Sequence, residues 1–426
     1  MARVRIFQFS VRSLLLAVTG LAIWLGFQAR AATRQRESVA ALREQGWTVL
    51  YDTEVISQTR FRPRWAARLQ RSRAPGWMQD AIGRDYFQNV VAVSFDASVR
   101  PGRTASKLHE AEDRPGVDRQ LERVADFPRL TSLILNDVRV SDESLAATAN
   151  LLQLEELRLD WCTVDGPCLR HLRLLTKLRT LSFAYSRFRN EPLAQLPLLA
   201  GLSTLSLQGD HIRDADLACL SNCPNLEELN LWQTRVGKAG LEYLRYVPKL
   251  QLLNLFDCAI HSDDLEPVAR LKHLTHLEAA RNRISDAGLA FVAQLPGLRV
   301  LGLGENQITD AGLPRIAHLR GLTKLTLNRN PISDDALSVV GTFADLEELW
   351  LDQTKITDSG LTQLANLQHL RRVILSHTGV TQHAAQEFRR SHPSTRVDCP
   401  DDSMNGVSRF LQALGRARHR KQSPAR

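Results

Sequence analysis

The 426-residue sequence contains few cysteines and none of the short motifs that mark common enzyme sites. Six cysteines are too sparse for a small domain held together by disulfide bonds. The sequence has no phosphate-binding Walker loop, no GxSxG nucleophile motif, no HExxH zinc motif and no CxxC pair. We therefore expect no catalytic residues, no metal, no cofactor and no small-molecule substrate.

Histidine and cysteine also do not combine into a recognisable set of metal ligands. Cys219 and Cys223 lie four residues apart, and His211 lies eight residues before the first of them. A zinc site needs about four ligands. We therefore favour structural or free thiols at these positions over a zinc site.

The centre of the chain lacks an excess of basic charge. Residues 130–399 carry 28 Lys and Arg against 31 Asp and Glu, whereas residues 1–129 carry 21 against 13. The formal net charge of +9 thus arises at the two ends of the chain. A nucleic-acid-binding body would need a basic stripe across its working face, so we expect no nucleic-acid partner.

What the chain does contain is a leucine repeat of constant period. Leucine recurs every 24 residues in eleven copies without an insertion or a deletion, which chance cannot plausibly produce. Each copy follows the pattern L-x-x-L-x-L, with Phe183, Ala279 and Val373 as variants. The first leucines of the copies are Leu130, Leu154, Leu178, Leu202, Leu226, Leu250, Leu274, Leu298, Leu322, Leu346 and Leu370.

The pattern within one copy predicts a strand followed by a helix. Alternating apolar residues predict a short strand with one buried face. Three apolar residues at spacing three, Leu313, Ile316 and Leu319, predict a helix with one buried stripe. Ser/Thr-Asp pairs should open these helices, because hydroxyls suit the N-cap and carboxylates suit the positive end of the helix dipole. These pairs are Ser285-Asp286, Thr309-Asp310, Ser333-Asp334 and Thr357-Asp358.

The pattern L-x-x-L-x-L-x-x-N/T/C-x-I resembles the leucine-rich-repeat family, in a 24-residue form similar to the cysteine-containing and F-box-associated types. The resemblance covers residues 130–393. It implies an α/β solenoid, curved and right-handed, with parallel strands on the concave face and helices on the convex face. It also implies that asparagine at one position bonds the backbone of the neighbouring turn. Asn282, Asn306 and Asn330 occupy this ladder position, and Cys162 and Cys258 replace asparagine there.

An uncharged run, residues 13–29, lies close to the N-terminus between two arginines. Seventeen residues are at the short limit for a transmembrane helix, since about 20 are typical. Three arginines precede the run, which favours a cytoplasmic N-terminus and extracytoplasmic repeats. We favour a retained single-pass anchor, although Ala29-Arg30-Ala31 also fits the cleavage pattern of a signal peptide.

The whole chain is expected to contain five segments. A helix from Thr33 to Gln45, a strand at Trp47–Tyr51 and a repeat-like strand at Val90–Phe95 are predicted before the repeats. Together with the short anchor, they resemble the N-terminal region of membrane-anchored bacterial leucine-rich-repeat proteins. The segments are an anchor or signal segment (1–32), a helix-strand and capping region (33–129), the repeats (130–393), a C-terminal cap strand (394–399) and a basic disordered tail (400–426).

A candidate binding surface follows from the strand geometry. Side chains at the x positions of each strand, and at the two residues after it, should face the concavity. Aromatic residues are favoured anchors of protein interfaces. Single exposed apolar residues are also normal on protein surfaces, so both interpretations stay open here. The candidates are Trp161, Tyr185, Trp232, Phe256 and Trp350, with Arg158, Glu228 and Asp257 as charged neighbours.

These observations favour a membrane-anchored scaffold for protein–protein interaction, with no enzymatic activity. The identity of the partner is beyond the sequence. One alternative is a substrate receptor of a ligase-type complex, as the similarity to F-box-associated repeats implies, but residues 30–129 contain no recognisable adaptor-docking module. The other alternative is an enzyme with an unrecognised N-terminal module at 33–125, which is a short and basic stretch.

Overall fold

The structure is a computed structural model that describes residues 11–52, 54, 85, 88–99, 115–189 and 192–399. The expected basic tail, 400–426, lies outside the described residues, as does the start of the segment 1–32. The chain divides into two compact units, Met1–Ser206 and Leu207–Arg426, here called unit 1 and unit 2.

Unit 1 contains a long N-terminal helix followed by strands and short helical turns. Its 3-10 turns are Ala97–Val99, Gly166–Leu174 and Pro192–Gln195. Its helices and strands are α1 (Val11–Glu44), β1 (Thr48–Tyr51), β2 (Val90–Asp96), α2 (Asp118–Val124), β3 (Ser132–Asn136), β4 (Arg139–Val140), α3 (Asp142–Thr148), β5 (Glu156–Asp160), β6 (Thr163–Asp165), β7 (Thr180–Ser182), β8 (Arg187–Arg189) and β9 (Thr204–Ser206).

The main sheet of unit 1 has the strand order β1-β2-β3-β5-β7-β9. β1 pairs with β2 antiparallel, and β2 pairs with β3 parallel, with Val93 opposite Leu133. The following strands pair in parallel at a register of one repeat, as with Leu133 opposite Leu157. A second, parallel sheet joins β4, β6 and β8. Val90–Asp96 therefore continues the repeat sheet on its N-terminal side.

The N-terminal and C-terminal parts of helix α1 differ in their burial. Its C-terminal part buries one face against unit 1 through Ala32, Val39 and Leu42, whereas the described side chains between residues 16 and 31 are exposed. The helix ends at Glu44, and Gly46 makes the turn into β1 with a φ of 84°, which glycine adopts at no steric cost. Among the described residues, no helix combines the length and apolarity that a membrane crossing requires.

Unit 2 repeats one strand and one short helical segment. Its strands are β10 (Glu228–Asn230), β11 (Leu252–Asn254), β12 (His276–Glu278), β13 (Val300–Gly302), β14 (Lys324–Thr326), β15 (Glu348–Trp350), β16 (Arg372–Ile374) and β17 (Arg396–Asp398). Its α-helices are α4 (Lys238–Leu241), α5 (Leu289–Val292), α6 (Asp334–Val340), α7 (Asp358–Leu361) and α8 (Gln382–Ser391). Its 3-10 turns are Asp214–Asn222, Glu242–Tyr246, Ser262–Leu265, Val268–Arg270, Leu313–Ile316 and Thr362–Leu364.

The strands of unit 2 form one parallel sheet in sequence order, β10 to β17. Leu229, Leu253, Leu277 and Leu301 lie side by side in it, and each is fully buried. The helical stripe expected at Leu313, Ile316 and Leu319 is also buried, but the segment is a 3-10 turn. Each 24-residue copy leaves little chain between strands, so most helical segments are short or tighten to the 3-10 form.

The expected role of the Ser/Thr-Asp hydroxyls as helix caps is wrong at Ser333 and Thr357. Neither side chain caps the helix that follows it. Instead, the Ser333 hydroxyl donates to Asp310 and the Thr357 hydroxyl donates to Asp334, at 2.7 and 2.5 Å. The same two carboxylates also accept from the backbone N–H groups of these residues. An ionised carboxylate is a strong acceptor, so each hydroxyl is oriented as a donor toward the aspartate of the previous repeat. Thr381 both donates to Asp358 and caps α8.

Buried amides link successive turns at the ladder position. Asn306 Oδ1 accepts from the N–H of Ile284, and its Nδ2 donates to the carbonyls of Ala279 and Leu303. Asn282 and Asn330 make equivalent bonds. The Cys162 and Cys258 thiols donate to the equivalent carbonyls, at 3.3 and 3.0 Å. The ladder thus satisfies backbone groups that the strands leave buried and unpaired.

Candidate functional site

The side chains that point away from the leucine core form one face of the sheet in each unit, here called the sheet face. They come from alternate strand positions and from the two residues that follow each L-x-x-L-x-L pattern. The second of these two residues adopts a left-handed backbone, with φ between 55° and 60°, in nearly every copy. This turn directs the chain into the helical segment. The left-handed residues are Asp137, Trp161, Tyr185, Gln233, Asp257, Arg281, Glu305, Arg329, Gln353 and His377.

The sheet face of unit 1 carries a stacked aromatic pair. The rings of Trp161 and Tyr185 lie 4.5 Å apart at 18°, and Trp161 is 43% exposed. Beside them, Arg158 forms a salt bridge of 2.8 Å with Asp160. A left-handed backbone costs about 1 kcal/mol at a residue other than glycine. Unit 1 thus holds a large exposed indole in a strained conformation.

The sheet face of unit 2 carries a second aromatic pair. Trp232 and Phe256 meet edge to face, with ring centroids 5.6 Å apart, and both are half-buried. Asn230 and Asn254, two residues before each ring, accept from the backbone N–H groups of Trp232 and Phe256 at 3.0 and 2.9 Å. These bonds fix the backbone from which the rings project. Glu228 and Asp257 lie on the same face, and Asp257 accepts from Gln233.

Trp350 lies on the same sheet face, at the end of β15, four strands from β11. At about 4.8 Å per strand, the separation is roughly 20 Å. The Lys324 ammonium lies over the Trp350 ring, 4.8 Å from its centroid, and also forms a salt bridge of 3.0 Å with Glu348. Its indole N–H is buried and finds no acceptor among the described residues. The structure therefore groups Trp232 with Phe256 and separates Trp350 from them.

A row of alternating charges runs along the left-handed positions of unit 2. Arg281 lies 3.7 Å from Asp257 and 4.0 Å from Glu305, and Arg329 lies 3.1 Å from Glu305. Sequence reasoning identified only Asp257 in this row. Reading the residue before each ladder position along the copies would have found the others, because equivalent positions become lateral neighbours.

A second feature that sequence reasoning missed is the partial burial of the Glu278 carboxylate. It lies on β12 opposite Gly302 of β13, and a Cβ at residue 302 would overlap its carboxylate. Glu278 accepts from the N–H of Ala280 at 3.1 Å. Burial raises the pKa of the Glu278 carboxyl, and the bond from Ala280 and the charge of Lys324 offset part of this rise. The sequence does contain a signal for this feature. Glu278 occupies the position that Asn230 and Asn254 have in the two preceding copies, and a glycine stands at the same position 24 residues later.

The thiols offer no evident chemistry. All six cysteines are buried thiols. Burial raises the pKa of Cys168 and of Cys223 to about 12, so both stay protonated at neutral pH. In the described part of the chain, no group of three or more His, Cys, Asp or Glu could hold a metal ion.

Comparison with known proteins shows a likeness in fold to solved structures. No protein-family model and no curated protein matches the chain. Among solved structures, an internalin, InlF of Listeria monocytogenes, is 22% identical and covers 68% of this chain and 89% of its own, with a TM-score of 0.51. The chain has the leucine-rich-repeat fold. The fold predicted from the repeat is thereby confirmed.

Two further solved structures match at lower similarity. A leucine-rich-repeat protein of Leptospira interrogans is 19% identical over 65% of this chain and 74% of its own, with a TM-score of 0.44. A plant peptide hormone receptor, RGFR1 in complex with RGF2, is 15% identical over 61% of this chain and 49% of its own, with a TM-score of 0.37.

Proposed function

We propose that this leucine-rich-repeat chain is a membrane-anchored scaffold that binds a protein partner on its sheet face. The observation that carries the proposal is the pair Trp232 and Phe256. Both rings lie half-buried on the outward side of the sheet and contact each other there. Two adjacent aromatic residues on a rigid sheet provide the large, low-entropy contact area that interface anchors use.

The surroundings of the pair have the composition of an interface rim. Glu228, Gln233 and Asp257 lie beside the rings on the same face, so polar groups surround an apolar centre. Unit 1 presents a comparable arrangement by itself, with Trp161 and Tyr185 next to the Arg158–Asp160 pair. Both units therefore offer an aromatic centre with charged neighbours to a partner.

The exposed apolar part of helix α1 supports the membrane portion of the proposal. Apolar side chains left in water across one helical stretch need a cover, and the hydrocarbon of a bilayer would supply it. The exposed residues are Leu16, Val18, Leu21, Ile23, Trp24, Leu25 and Phe27. We propose a single-pass anchor with the repeats on the extracytoplasmic side. Removal of the segment as a signal peptide is the competing outcome.

The test of the proposed binding face compares variants in affinity purification from detergent-solubilised membranes. A partner that co-purifies with the unaltered chain should be lost from Phe256→Ala and Trp232→Ala. Each substitution should cost about 2 kcal/mol or more in affinity. Arg315→Ala is the control, because Arg315 is exposed on the 3-10 turn Leu313–Ile316 on the other side of the repeat. Equal weakening by the control and the sheet-face variants would refute the assignment.

A further inference from the structure

We infer that unit 1 contacts the bilayer surface a second time, through a row of exposed leucines on the side from which helix α1 leaves the fold. The inference rests on the proposed membrane anchor and adds a lipid contact made by the folded part of the chain. The row, here called the leucine edge, consists of Leu152, Leu174 and Leu198. The surface that covers it is that of the same bilayer, with anionic headgroups.

The three leucines lie in equivalent turns of three successive copies. They are 52%, 47% and 65% exposed. Equivalent positions of stacked copies are lateral neighbours, and a bond of 2.5 Å from Lys177 to Gln153 joins two of the turns at their ends. Single exposed apolar residues are normal, but three in one row form a patch. The turns are 149–152 before β5, 173–176 before β7 and 197–200 before β9.

The repeat does not require leucine at this place in the turn. Asn150 stands at the equivalent position one copy before Leu174. In unit 2, six of the seven equivalent residues have polar or charged side chains other than an aromatic ring. These seven are Asn222, Tyr246, Arg270, Gln294, His318, Thr342 and Asn366. The exposed leucines are thus concentrated in unit 1, the unit that contains α1, and their contact with water is a cost that the fold itself does not impose.

Helix α1 lies antiparallel beside α2 and therefore points past the leucine edge. Near the C-terminal end of α1, Gln120 of α2 donates to Gln45 at 2.9 Å. Two turns earlier in α1, the Ser38 hydroxyl donates at 2.7 Å to Asp126, which follows the end of α2. Asp126 precedes Leu174 by two whole copies, so it belongs to the same row. Toward its N-terminus, α1 thus leaves unit 1 on the side of the leucine edge.

The uncharged run of α1 ends a short distance from this edge. Ser38 follows Ala29 by nine residues of the same helix, which corresponds to roughly 14 Å. The headgroup layer outside the hydrocarbon is about 5–8 Å thick, and transmembrane helices tilt by about 20° on average. A bilayer that holds the run 13–29 would therefore bring its headgroups close to the leucine edge.

Exposed basic side chains accompany the leucine edge. On α1, Arg30 and Arg34 are exposed between the uncharged run and the edge. Anionic headgroups attract lysine and arginine, and basic residues combined with leucine are typical of surfaces that lie in a membrane interface. In the segments 125–131, 149–155, 173–179 and 197–203, the basic residues are Arg129, Arg173, Lys177 and Arg179, and the acidic residues are Asp126 and Glu155.

The inference is tested with the full chain in vesicles of phosphatidylcholine and phosphatidylglycerol. All six cysteines are buried, so a nitroxide label attaches selectively to one cysteine introduced at the surface. Collisions of the label with oxygen, which enters hydrocarbon, are compared with collisions with a polar nickel chelate. The ratio should be roughly threefold or more higher for Leu174→Cys and Leu198→Cys than for Arg187→Cys, because the chelate is excluded from apolar surroundings. Arg187 is exposed on β8, at the opposite end of the turn Pro192–Gln195.

A matched pair of variants tests the leucines themselves, with the label at residue 198. Leu152→Asn combined with Leu174→Asn should lower the collision ratio to the value found at residue 187, because the apolar contact is lost. Leu152→Met combined with Leu174→Met should retain the ratio, because methionine is apolar and of similar size. Both double variants should melt like the unaltered chain, since the substituted side chains are exposed.

A label on Trp24→Cys separates this inference from the proposed anchor. If residue 24 lies in hydrocarbon while residues 174 and 198 lie in water, the inference is overturned and the anchor stands. Water at all three positions would count against both proposals. A ratio at residue 187 as high as that at the leucine edge would also overturn the inference, because the contact would not be specific. Dipolar broadening between labels at residue 198, without a gain in oxygen collisions, would show that a second copy of the chain covers the edge instead.

Discussion

Hydrogen bonds from single side chains connect neighbouring turns of the repeat, and Asn306 is the clearest example. Its amide is buried and bonds the N–H of Ile284 and the carbonyls of Ala279, Leu303 and Gly304. A buried backbone group that loses its partner costs about 1–3 kcal/mol. We expect Asn306→Ala to lower the free energy of unfolding by about 3 kcal/mol in urea titrations, since several groups lose their partner together.

The chain itself supplies a matched comparison for this prediction. Thr234, Thr354 and Thr378 occupy the same ladder position, and each hydroxyl donates to the carbonyl three residues earlier. Asn306→Thr should retain that one bond and lose clearly less stability than Asn306→Ala. Equal losses for the two variants would show that size at this position matters more than hydrogen bonding.

Glu278 supplies a stability prediction that is independent of any partner. Burial raises the pKa of its carboxyl, so the folded chain disfavours the ionised form. At neutral pH, Glu278→Gln removes this charge and should raise the melting temperature. The advantage should shrink as the pH falls through the raised pKa of the folded state, and vanish below the unfolded value of about 4.3. A variant that is less stable than the unaltered chain at pH 7 would contradict the account.

At the residue scale, the sequence predicts the ladder better than the sheet face. Asn282, Asn306 and Asn330 stand at a fixed offset from the leucines, so their position could be read within one copy. The partial burial of Glu278 could not be read within one copy, because it depends on Gly302, which becomes its neighbour only when β12 pairs with β13. Lateral neighbours 24 residues apart decide which side chain is covered, and no local pattern reports this.

The ends of the helical segments depend on a row of aspartates that reach across to the next copy. Asp286, Asp310, Asp334 and Asp358 each accept from the backbone N–H of the Ser or Thr 23 residues later. Burial alone would raise the pKa of Asp334, but hydrogen bonds from Thr357 and Ser359 outweigh it and hold the pKa below its usual range. These bonds therefore favour the ionised carboxylate.

The sign of the resulting pH dependence follows from the lowered pKa of Asp334. The folded state binds this proton less readily than the unfolded chain, so the stabilisation is present above about pH 4 and is lost as the pH falls further. Asp334→Asn should lower the melting temperature at pH 7, and its deficit should narrow below about pH 4. Asp345→Asn, which alters an exposed carboxylate nearby, should leave the melting temperature unchanged both at pH 7 and below about pH 4. A deficit that is constant from pH 7 to pH 3 would show that charge is not the cause.

Among the elements, strands are predictable from this sequence and helices less so. The alternation in L-x-x-L-x-L gives a buried leucine on each strand from β3 to β15 except β4, β6 and β8, which form the separate three-stranded sheet, and the structure has the leucine strands in parallel register. The Ser/Thr-Asp pairs predicted capped helices, whereas Ser333 and Thr357 bond the preceding copy instead. Capping rules treat a helix by itself, whereas here a carboxylate of the preceding copy positions the hydroxyl, which then caps the helix at Thr381 but not at Ser333 or Thr357.

At the scale of the molecule, strand β2 covers the N-terminal edge of the repeat sheet. It pairs with β3 along five residues, and Phe95 lies opposite Leu135. Helix α2 buries Leu121 and Val124 on the same side. A chain that begins at Leu130 should therefore expose the edge of β3 and aggregate, because an open edge and an uncovered apolar turn invite association. Light scattering during refolding measures this, and a monomeric chain that melts cooperatively would refute the capping role.

The proposed orientation of the chain in the membrane depends on the charges near the N-terminus and is constrained little by the fold. Arg3, Arg5 and Arg12 precede the uncharged run, and positive residues are retained on the cytoplasmic side. We expect protease added to intact spheroplasts to degrade the repeats and remove a C-terminal tag, while a cytoplasmic marker protein survives. Survival of the tag would show that the orientation is the reverse of the proposed one. A mature chain that begins at Ala32 would show that the segment is a cleaved signal peptide and not an anchor. Replacing the three arginines by glutamine should then make the tag partly resistant, because the charge bias that holds the N-terminus inside is removed.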